Sequence, residues 1–119
     1  MTIMQVNAMA TFSIDIAGAA RSLRDAARTG NLIAPLRETF PLMTAADAYA
    51  IQRTNTEHRV REESRRIVGC KVGLTAKAVQ TQLGVNQPDF GMLFDDMGYG
   101  DAEPVSMEGL QQPKIEAEV

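Results

Sequence analysis

The chain has 119 residues, of which 45% are hydrophobic and 23% are charged, and its formal net charge is -3 at pH 7. These values are typical of a folded domain with a modest core, so they exclude a wholly disordered chain. The balance of 12 basic against 15 acidic residues gives no overall attraction to nucleic acid or to an anionic membrane. No apolar run approaches the roughly 20 residues of a membrane span. A single cysteine excludes an intrachain disulfide and suits a cytoplasmic protein.

The first helix is predicted to follow a loose leader. Residues 1–12 contain no lysine or arginine, so they lack the positively charged start of a signal peptide, and Met4 or Met9 is an alternative start. Ser13 is the predicted N-cap, and Gly30 is the predicted C-terminal stop. Between them, apolar residues recur at helical spacing: Ile16, Ala20, Leu23 and Ala27.

A second helix is predicted after a connection that carries two prolines. Residues 31–43 show no helical period, so we expect them to cross the surface. Thr44 then opens a helix that runs to about Ser64, and Asp47 can reach back to it as in a capping box. Residues 13–64 are therefore assigned to an N-terminal helical region.

The second half of this helix is rich in charge. Five arginines between residues 53 and 66 are interleaved with glutamates, and the pairs Glu57/Arg61 and Arg59/Glu63 are four residues apart. This pattern favours a solvated helix face over a binding patch. His58 is interpreted as a surface or packing residue rather than a metal ligand.

The period changes to two after residue 66, which predicts a strand over residues 67–74. Lys71 stands between Gly69 and Gly73, so its ammonium has room to enter a pocket; a lysine that reaches solvent at a sheet edge is the alternative. Cys70 points the other way and has no base partner in the pattern. We expect a buried structural thiol rather than a nucleophile.

A short helix, a turn and another strand are predicted next. Thr75 is the predicted cap of the helix, and Gly84 ends it. Residues 87–91 have the composition of a turn, and a short strand follows over residues 92–94. Asp89 is a turn former on this reading, although a carboxylate on a rigid turn can also serve as an acid or base.

The last predicted strand covers residues 113–119. Glu116 and Glu118 share one of its faces and lie roughly 6 to 7 Å apart at the backbone. Two hard oxygen donors at this separation suit Mg²⁺ or Mn²⁺. The alternative is that the two acids only form the solvent-exposed face of the strand.

The opposite face of this strand carries Ile115, Ala117 and Val119. A terminal strand needs hydrogen-bonding neighbours, and no later segment is present to supply them. We therefore expect Val119 to be a truncation point and residues 65–119 to be the incomplete start of a β domain.

Taken together, four segments resemble the hydratase/decarboxylase family, which is similar in fold to fumarylacetoacetate hydrolase. They are residues 67–75 (IVGCKVGLT), 79–91 (VQTQLGVNQPDFG), 93–94 (LF) and 112–118 (QPKIEAE). The resemblance extends from about Asp15 to the last residue, with the segments in the family's order and spacing. It implies an α+β protein in which a helical N-terminal region precedes the first strands of a mixed β domain.

The resemblance also implies roles for the polar residues above. Glu116 and Glu118 correspond to two ligands of a divalent metal, Mg²⁺ or Mn²⁺, and family members have a third acidic ligand later in their chains. Lys71 and Asp89 correspond to active-site acid/base residues. An isolated chain of these 119 residues is therefore expected to be inactive.

The expected activity is that of a lyase, the addition of water to 2-hydroxypenta-2,4-dienoate or a homologue in aromatic catabolism. The form of the turn over residues 87–91 resembles the hydratases. Decarboxylation of a 2-oxo dicarboxylate such as 4-oxalocrotonate is the first alternative, and a non-catalytic fragment that only associates is the second. Family members form homo-oligomers, and some contact the next enzyme of their pathway.

Overall fold

The computed structural model describes residues 13–117 and has an α+β architecture, as predicted. The described elements are α1 (Ile16–Thr29), α2 (Leu36–Thr39), α3 (Ala45–Arg61), β1 (Ile67–Gly73), α4 (Lys77–Leu83), β2 (Asp89–Phe94) and a 3-10 turn (Asp95–Met97). The predicted leader over residues 1–12, Glu118 and Val119 lie outside the described residues. Across residues 13–117, no helix combines the length and the apolar character that crossing a membrane requires.

The N-cap of helix α1 lies two residues later than the sequence indicated. Its N-cap is Asp15, whose Oδ1 accepts a hydrogen bond from the Gly18 N–H at 2.9 Å. The prediction of Ser13 was therefore wrong: serine and aspartate cap helices about equally well, and here the helix starts after Asp15, which makes the cap hydrogen bond. The predicted stop is confirmed, since Gly30 has φ of 74° and its N–H donates to the Ala26 carbonyl.

Helix α3 begins with the predicted capping box. The Thr44 Oγ1 accepts from the Asp47 N–H at 3.2 Å, and the Asp47 Oδ2 accepts from the Thr44 N–H at 2.8 Å. The hydroxyl of Thr44 also donates to this carboxylate, and these bonds hold the pKa of Asp47 below its usual range. The helix ends at Arg61, three residues before the predicted Ser64.

The connection before α3 contains a short helix that the sequence pattern did not show. Helix α2 covers Leu36–Thr39 and follows Pro35, whose fixed φ suits the start of a helix. The core lies where α1 crosses α3, and Ala19, Ala20 and Ile51 are buried there. Partly buried apolar side chains pack around them: Ile16, Leu36, Phe40 and Met43.

Strands β1 and β2 form an antiparallel two-stranded sheet, which we call the β ribbon. Helix α4 lies in the connection between the strands and ends as predicted at Gly84, which has φ of 70°. Its N-cap is Ala76 rather than Thr75, and no side chain caps it. Strand β2 starts at Asp89, three residues before the prediction, because residues 89–91 pair with β1 instead of forming a turn.

The ribbon is joined to α3 through Arg59. The guanidinium lies 4.4 Å from the centroid of the Phe94 ring and forms ion pairs with Asp96 and, at 3.4 Å, with Glu63. The side chain of Arg59 is only 24% exposed, whereas that of Arg61 is 72% exposed. The predicted solvated face therefore describes Arg61, while Arg59 is a packing residue.

The residues just outside the two strands, Arg66 and Asp95, are also joined by hydrogen bonds. The Arg66 N–H donates to the Asp95 Oδ1 at 3.2 Å, and the Asp95 N–H donates to the Arg66 carbonyl at 3.0 Å. The bond from the Arg66 N–H holds the pKa of Asp95 below its usual range. These two bonds extend the pairing of β1 with β2 by one residue beyond Ile67 and Phe94.

Two predictions for the β region are wrong. Residues 113–117 are not assigned to a strand, and Ile115 is fully exposed, because no described segment pairs with them. Cys70 is exposed rather than buried, since the face of β1 that carries it is not covered by the described residues.

Candidate active site

Lys71 and Asp89 lie on the same face of the β ribbon. Lys71 is directly opposite Gly91, and Asp89 is directly opposite Gly73. Directly opposed residues of an antiparallel pair project to the same face, as do residues two apart on one strand. The two predicted acid/base residues are therefore diagonal neighbours, with backbones about 7 to 8 Å apart.

The glycines of this face leave the space around the two charged side chains open. A Cβ added at Gly73 would meet the Asp89 Oδ2 at 3.8 Å, so the carboxylate lies over that glycine. A Cβ added at Gly91 would meet nothing within 4 Å. Gly91 is opposite Lys71 and two residues from Asp89, so the open space above this glycine lies on the face that the two charged residues share.

Asp89 also borders an open cleft of about 480 Å³ between α3 and the end of α4. Tyr49 and Leu74 form parts of its walls. Leu74 has φ of 54°, which is unusual for a branched residue, and its carbonyl accepts from the Gln80 Nε2 at 2.6 Å. Gln80 is only 3% exposed, so this hydrogen bond is well shielded from water and holds the bend that follows Gly73.

The backbone of the residue after Asp89 is bound by two side chains of α3. The Phe90 N–H donates to the Tyr49 Oη at 3.2 Å, and the Gln52 Nε2 donates to the Phe90 carbonyl at 2.9 Å. Sequence reasoning missed Tyr49, Gln52 and Gln80. Tyr49 and Gln52 are polar residues three apart within a helix, but this spacing is equally typical of a solvent-exposed helix face.

The predicted metal ligands are not assembled in the described residues. Glu116 is exposed in the segment 113–117, which has no assigned secondary structure, and Glu118 lies outside the described residues. Within residues 13–117, no group of three His, Cys, Asp or Glu side chains is placed to hold a metal ion. The carboxylates have the right donor chemistry for a hard cation, but the geometry of a site is not present here.

His58 lies outside this region, as predicted for a surface or packing residue. Its Nε2 is 3.6 Å from the Glu63 Oε1, and its side chain is 35% exposed. It lines a separate open cleft between α1 and α3 together with Arg24 and Asn55, which are joined by a hydrogen bond of 2.6 Å.

Sequence comparison identifies relatives of known name, although no family model matches the chain. The 2-keto-4-pentenoate hydratase of Paraburkholderia xenovorans (strain LB400) is 57% identical over 101 residues, which are 85% of this chain and 37% of that protein. The 2-hydroxyhexa-2,4-dienoate hydratase of Comamonas testosteroni is 45% identical over 100 residues, which are 82% of this chain and 37% of that protein. The chain thus spans a little over a third of the length of these relatives.

Structure comparison points to the same group of proteins. The 4-oxalocrotonate decarboxylase from Pseudomonas putida G7, complexed with magnesium and adipate, matches with a TM-score of 0.61 and 34% identity. The match covers 68% of this chain and 30% of that one. The same decarboxylase complexed with calcium and acetate matches with a TM-score of 0.62. The resemblance stated from the sequence motifs is confirmed.

Proposed function

Because this chain is a homologue of 2-keto-4-pentenoate hydratases over 85% of its length, we propose that the whole protein is a hydratase. It adds water to 2-hydroxypenta-2,4-dienoate or a close homologue and releases a 4-hydroxy-2-oxo acid. The β ribbon described above would then be part of a mixed β domain similar to that of fumarylacetoacetate hydrolase.

The observation that carries this proposal is the shared, open face of Lys71 and Asp89. Hydration of the dienol requires removal of the enol proton, delivery of protons to carbon and deprotonation of the attacking water. An ammonium and a carboxylate that project from one face of the sheet provide a proton donor and a proton acceptor. We assign these proton transfers to Lys71 and Asp89.

Metal binding is a second part of the proposal. Glu116 and Glu118 are assigned as two carboxylate ligands of a divalent cation, Mg²⁺ or Mn²⁺. Support comes from the magnesium and calcium in the two decarboxylase structures and from the oxygen donors of the glutamates. Residues 13–117 do not bring these ligands together, so the ion would be held only in the whole protein.

Decarboxylation of a 2-oxo dicarboxylate is the second candidate function, because the matching solved structures are of a decarboxylase. The hydratase is favoured by identity, which is 57% to the hydratase of Paraburkholderia xenovorans and 34% to the decarboxylase. It is also favoured by the form of residues 87–91, which resembles that of the hydratases.

Product analysis separates the two candidates. The whole protein is incubated with Mg²⁺ or Mn²⁺ and either 2-hydroxypenta-2,4-dienoate or 4-oxalocrotonate, and the loss of dienol and the release of carbon dioxide are followed. We expect dienol consumption with a 4-hydroxy-2-oxo product and no carbon dioxide. Carbon dioxide from the dicarboxylate, with the dienoate left unchanged, would replace the hydratase by the decarboxylase.

A further inference from the structure

Two side chains of α3 bind both backbone groups of a single residue in β2. Phe90 donates its N–H to the Tyr49 Oη at 3.2 Å and accepts at its carbonyl from the Gln52 Nε2 at 2.9 Å. Tyr49 and Gln52 are three residues apart on a helix, so they project from the same face. Together they form a two-point clamp on the strand.

The clamp lies on the outer edge of the ribbon. In an antiparallel pair, the N–H and carbonyl of one residue point to the same side, and the side alternates along the strand. Since both groups of Phe90 face α3, those of its neighbours Asp89 and Gly91 face β1. The helix thus replaces a third strand at this one position, where the backbone groups would otherwise be unpaired.

Packing alone does not hold this end of the strand. The Phe90 side chain is 45% exposed, in contrast to Phe94 at the other end of β2, which is 4% exposed and lies under Arg59. The start of β2 therefore depends on the ladder to β1 and on the clamp. A shift of Phe90 would displace the residues on either side of it.

We propose that Tyr49 and Gln52 are positioning residues for the Asp89 carboxylate. By fixing the backbone of Phe90, they hold Asp89 over Gly73 and keep the space at Gly91 aligned with it. This inference rests on the proposed function, in which Asp89 transfers a proton. A displacement of about 1 Å at a reacting group is enough to lower turnover by up to roughly a hundredfold.

The test uses Tyr49→Phe and Gln52→Met in the whole protein, each of which removes one arm of the clamp while keeping the shape of the side chain. Tyr99→Phe and Gln82→Met are matched controls, because Tyr99 is 54% exposed and Gln82 is exposed on α4. The first readout is hydrogen exchange of the Phe90 amide. Loss of the acceptor in Tyr49→Phe should speed it by about two- to tenfold, the equivalent of one net hydrogen bond.

The second readout separates positioning from a purely structural link. We expect kcat for dienoate hydration to fall by about tenfold in each clamp variant while KM stays within about twofold, because the substrate still binds but the proton acceptor is misplaced. The controls should keep both values. Tyr49→Phe changes a single oxygen, so it keeps the test decisive if Gln52→Met lowers the yield of folded protein.

Two outcomes overturn the inference. Unchanged hydrogen exchange at the Phe90 amide would show that the clamp does not stabilise the strand. Faster exchange with wild-type kcat would show that the clamp has no role in positioning Asp89. Failure of the proposed function is recognised separately: the wild-type protein would then not hydrate the dienoate at all, or Asp89→Asn would retain wild-type turnover.

Discussion

The helical pair and the β ribbon differ in how they are stabilised. Helices α1 and α3 meet through Ala19, Ala20 and Ile51, each at most 3% exposed. The ribbon carries Val72 and Phe90, which are each 45% exposed. The buried apolar residues of the described chain thus lie mainly between the helices, whereas the ribbon contributes only Phe94, which lies under Arg59, and is otherwise positioned by polar contacts from α3.

This difference accounts for where the candidate chemistry lies. The face that carries Lys71 and Asp89 is lined with glycines, which leave space for a ligand but add nothing to burial. A region with little buried apolar surface is a weak source of stability, and sites of chemistry are commonly placed in such regions. The ribbon is held in place by its contacts with helix α3, which is itself packed against α1.

The largest effect is expected from Asp89→Asn in the whole protein. The amide keeps the size of the carboxylate but cannot exchange a proton near neutral pH, so turnover should fall by about 10² to 10⁴ with folding retained. Steady-state kinetics with the dienoate measure it. Asp101→Asn, in an exposed turn, is the control and should leave turnover unchanged. Wild-type turnover for Asp89→Asn would leave Asp89 with a purely local structural role.

The second prediction concerns the exposed faces of the ribbon. The isolated 119-residue chain should self-associate, because apolar side chains such as Ile67, Val72 and Phe90 are exposed beside a free strand edge. Residues 13–65, the helical pair alone, should stay monomeric. Size-exclusion chromatography over a range of concentrations compares the two, and a monomeric 119-residue chain would show that the ribbon tolerates its exposed surface.

The helical pair should respond to loss of core volume. Ile51→Ala should lower the free energy of unfolding of the whole protein by about 3 kcal/mol, from lost burial and the cavity that remains. Val60→Ala on the same helix should cost under roughly 1 kcal/mol, because Val60 is 41% exposed. Urea titration gives both values, and equal costs at the two positions would contradict the assignment of the core.

Gly91→Val should separate stability from activity in the ribbon. A valine is favoured in a strand and a Cβ there meets nothing within 4 Å, so unfolding should not become easier. The side chain would occupy the space between Lys71 and Asp89, so kcat/KM should fall by about tenfold or more. Kinetics and thermal unfolding are measured on the same sample. Full activity would show that the substrate does not use this space.

The smallest effect is expected at the start of α3. Thr44→Ala should cost about 1 kcal/mol at pH 7 through loss of the capping box. The folded pKa of Asp47 is lowered, so its contribution is present above the unfolded pKa of about 3.9 and is lost as pH falls through the folded value. The difference between wild type and variant should therefore shrink from pH 7 to pH 3. A constant difference in urea titrations would exclude the charge of Asp47 as its source.

Sequence patterns located most of the elements because their local signals agree with the fold. The capping box at Thr44 and the left-handed stops at Gly30 and Gly84 depend on interactions within a few residues, so they could be predicted. Helix α2 was missed, since four residues are too few to show a period.

The boundaries of the strands could not be predicted from local sequence patterns. The start of β2 depends on pairing between Asp89 and Gly73, sixteen residues apart in the chain, and local turn chemistry gave the wrong boundary there. The sequence pattern did not place Lys71 and Asp89 on one face, and the family resemblance implied only that both are active-site residues. The clamp by Tyr49 and Gln52 joins residues about forty positions apart, and their spacing within the helix does not identify Phe90 as the partner.

The most direct test of the account is a crystal structure of the whole protein grown with Mn²⁺, in which anomalous scattering locates the ion. We expect one ion bound by carboxylate oxygens of Glu116 and Glu118, in a cavity that Lys71 and Asp89 also face. An ion bound elsewhere, or Lys71 and Glu116 on opposite faces of the sheet, would contradict it.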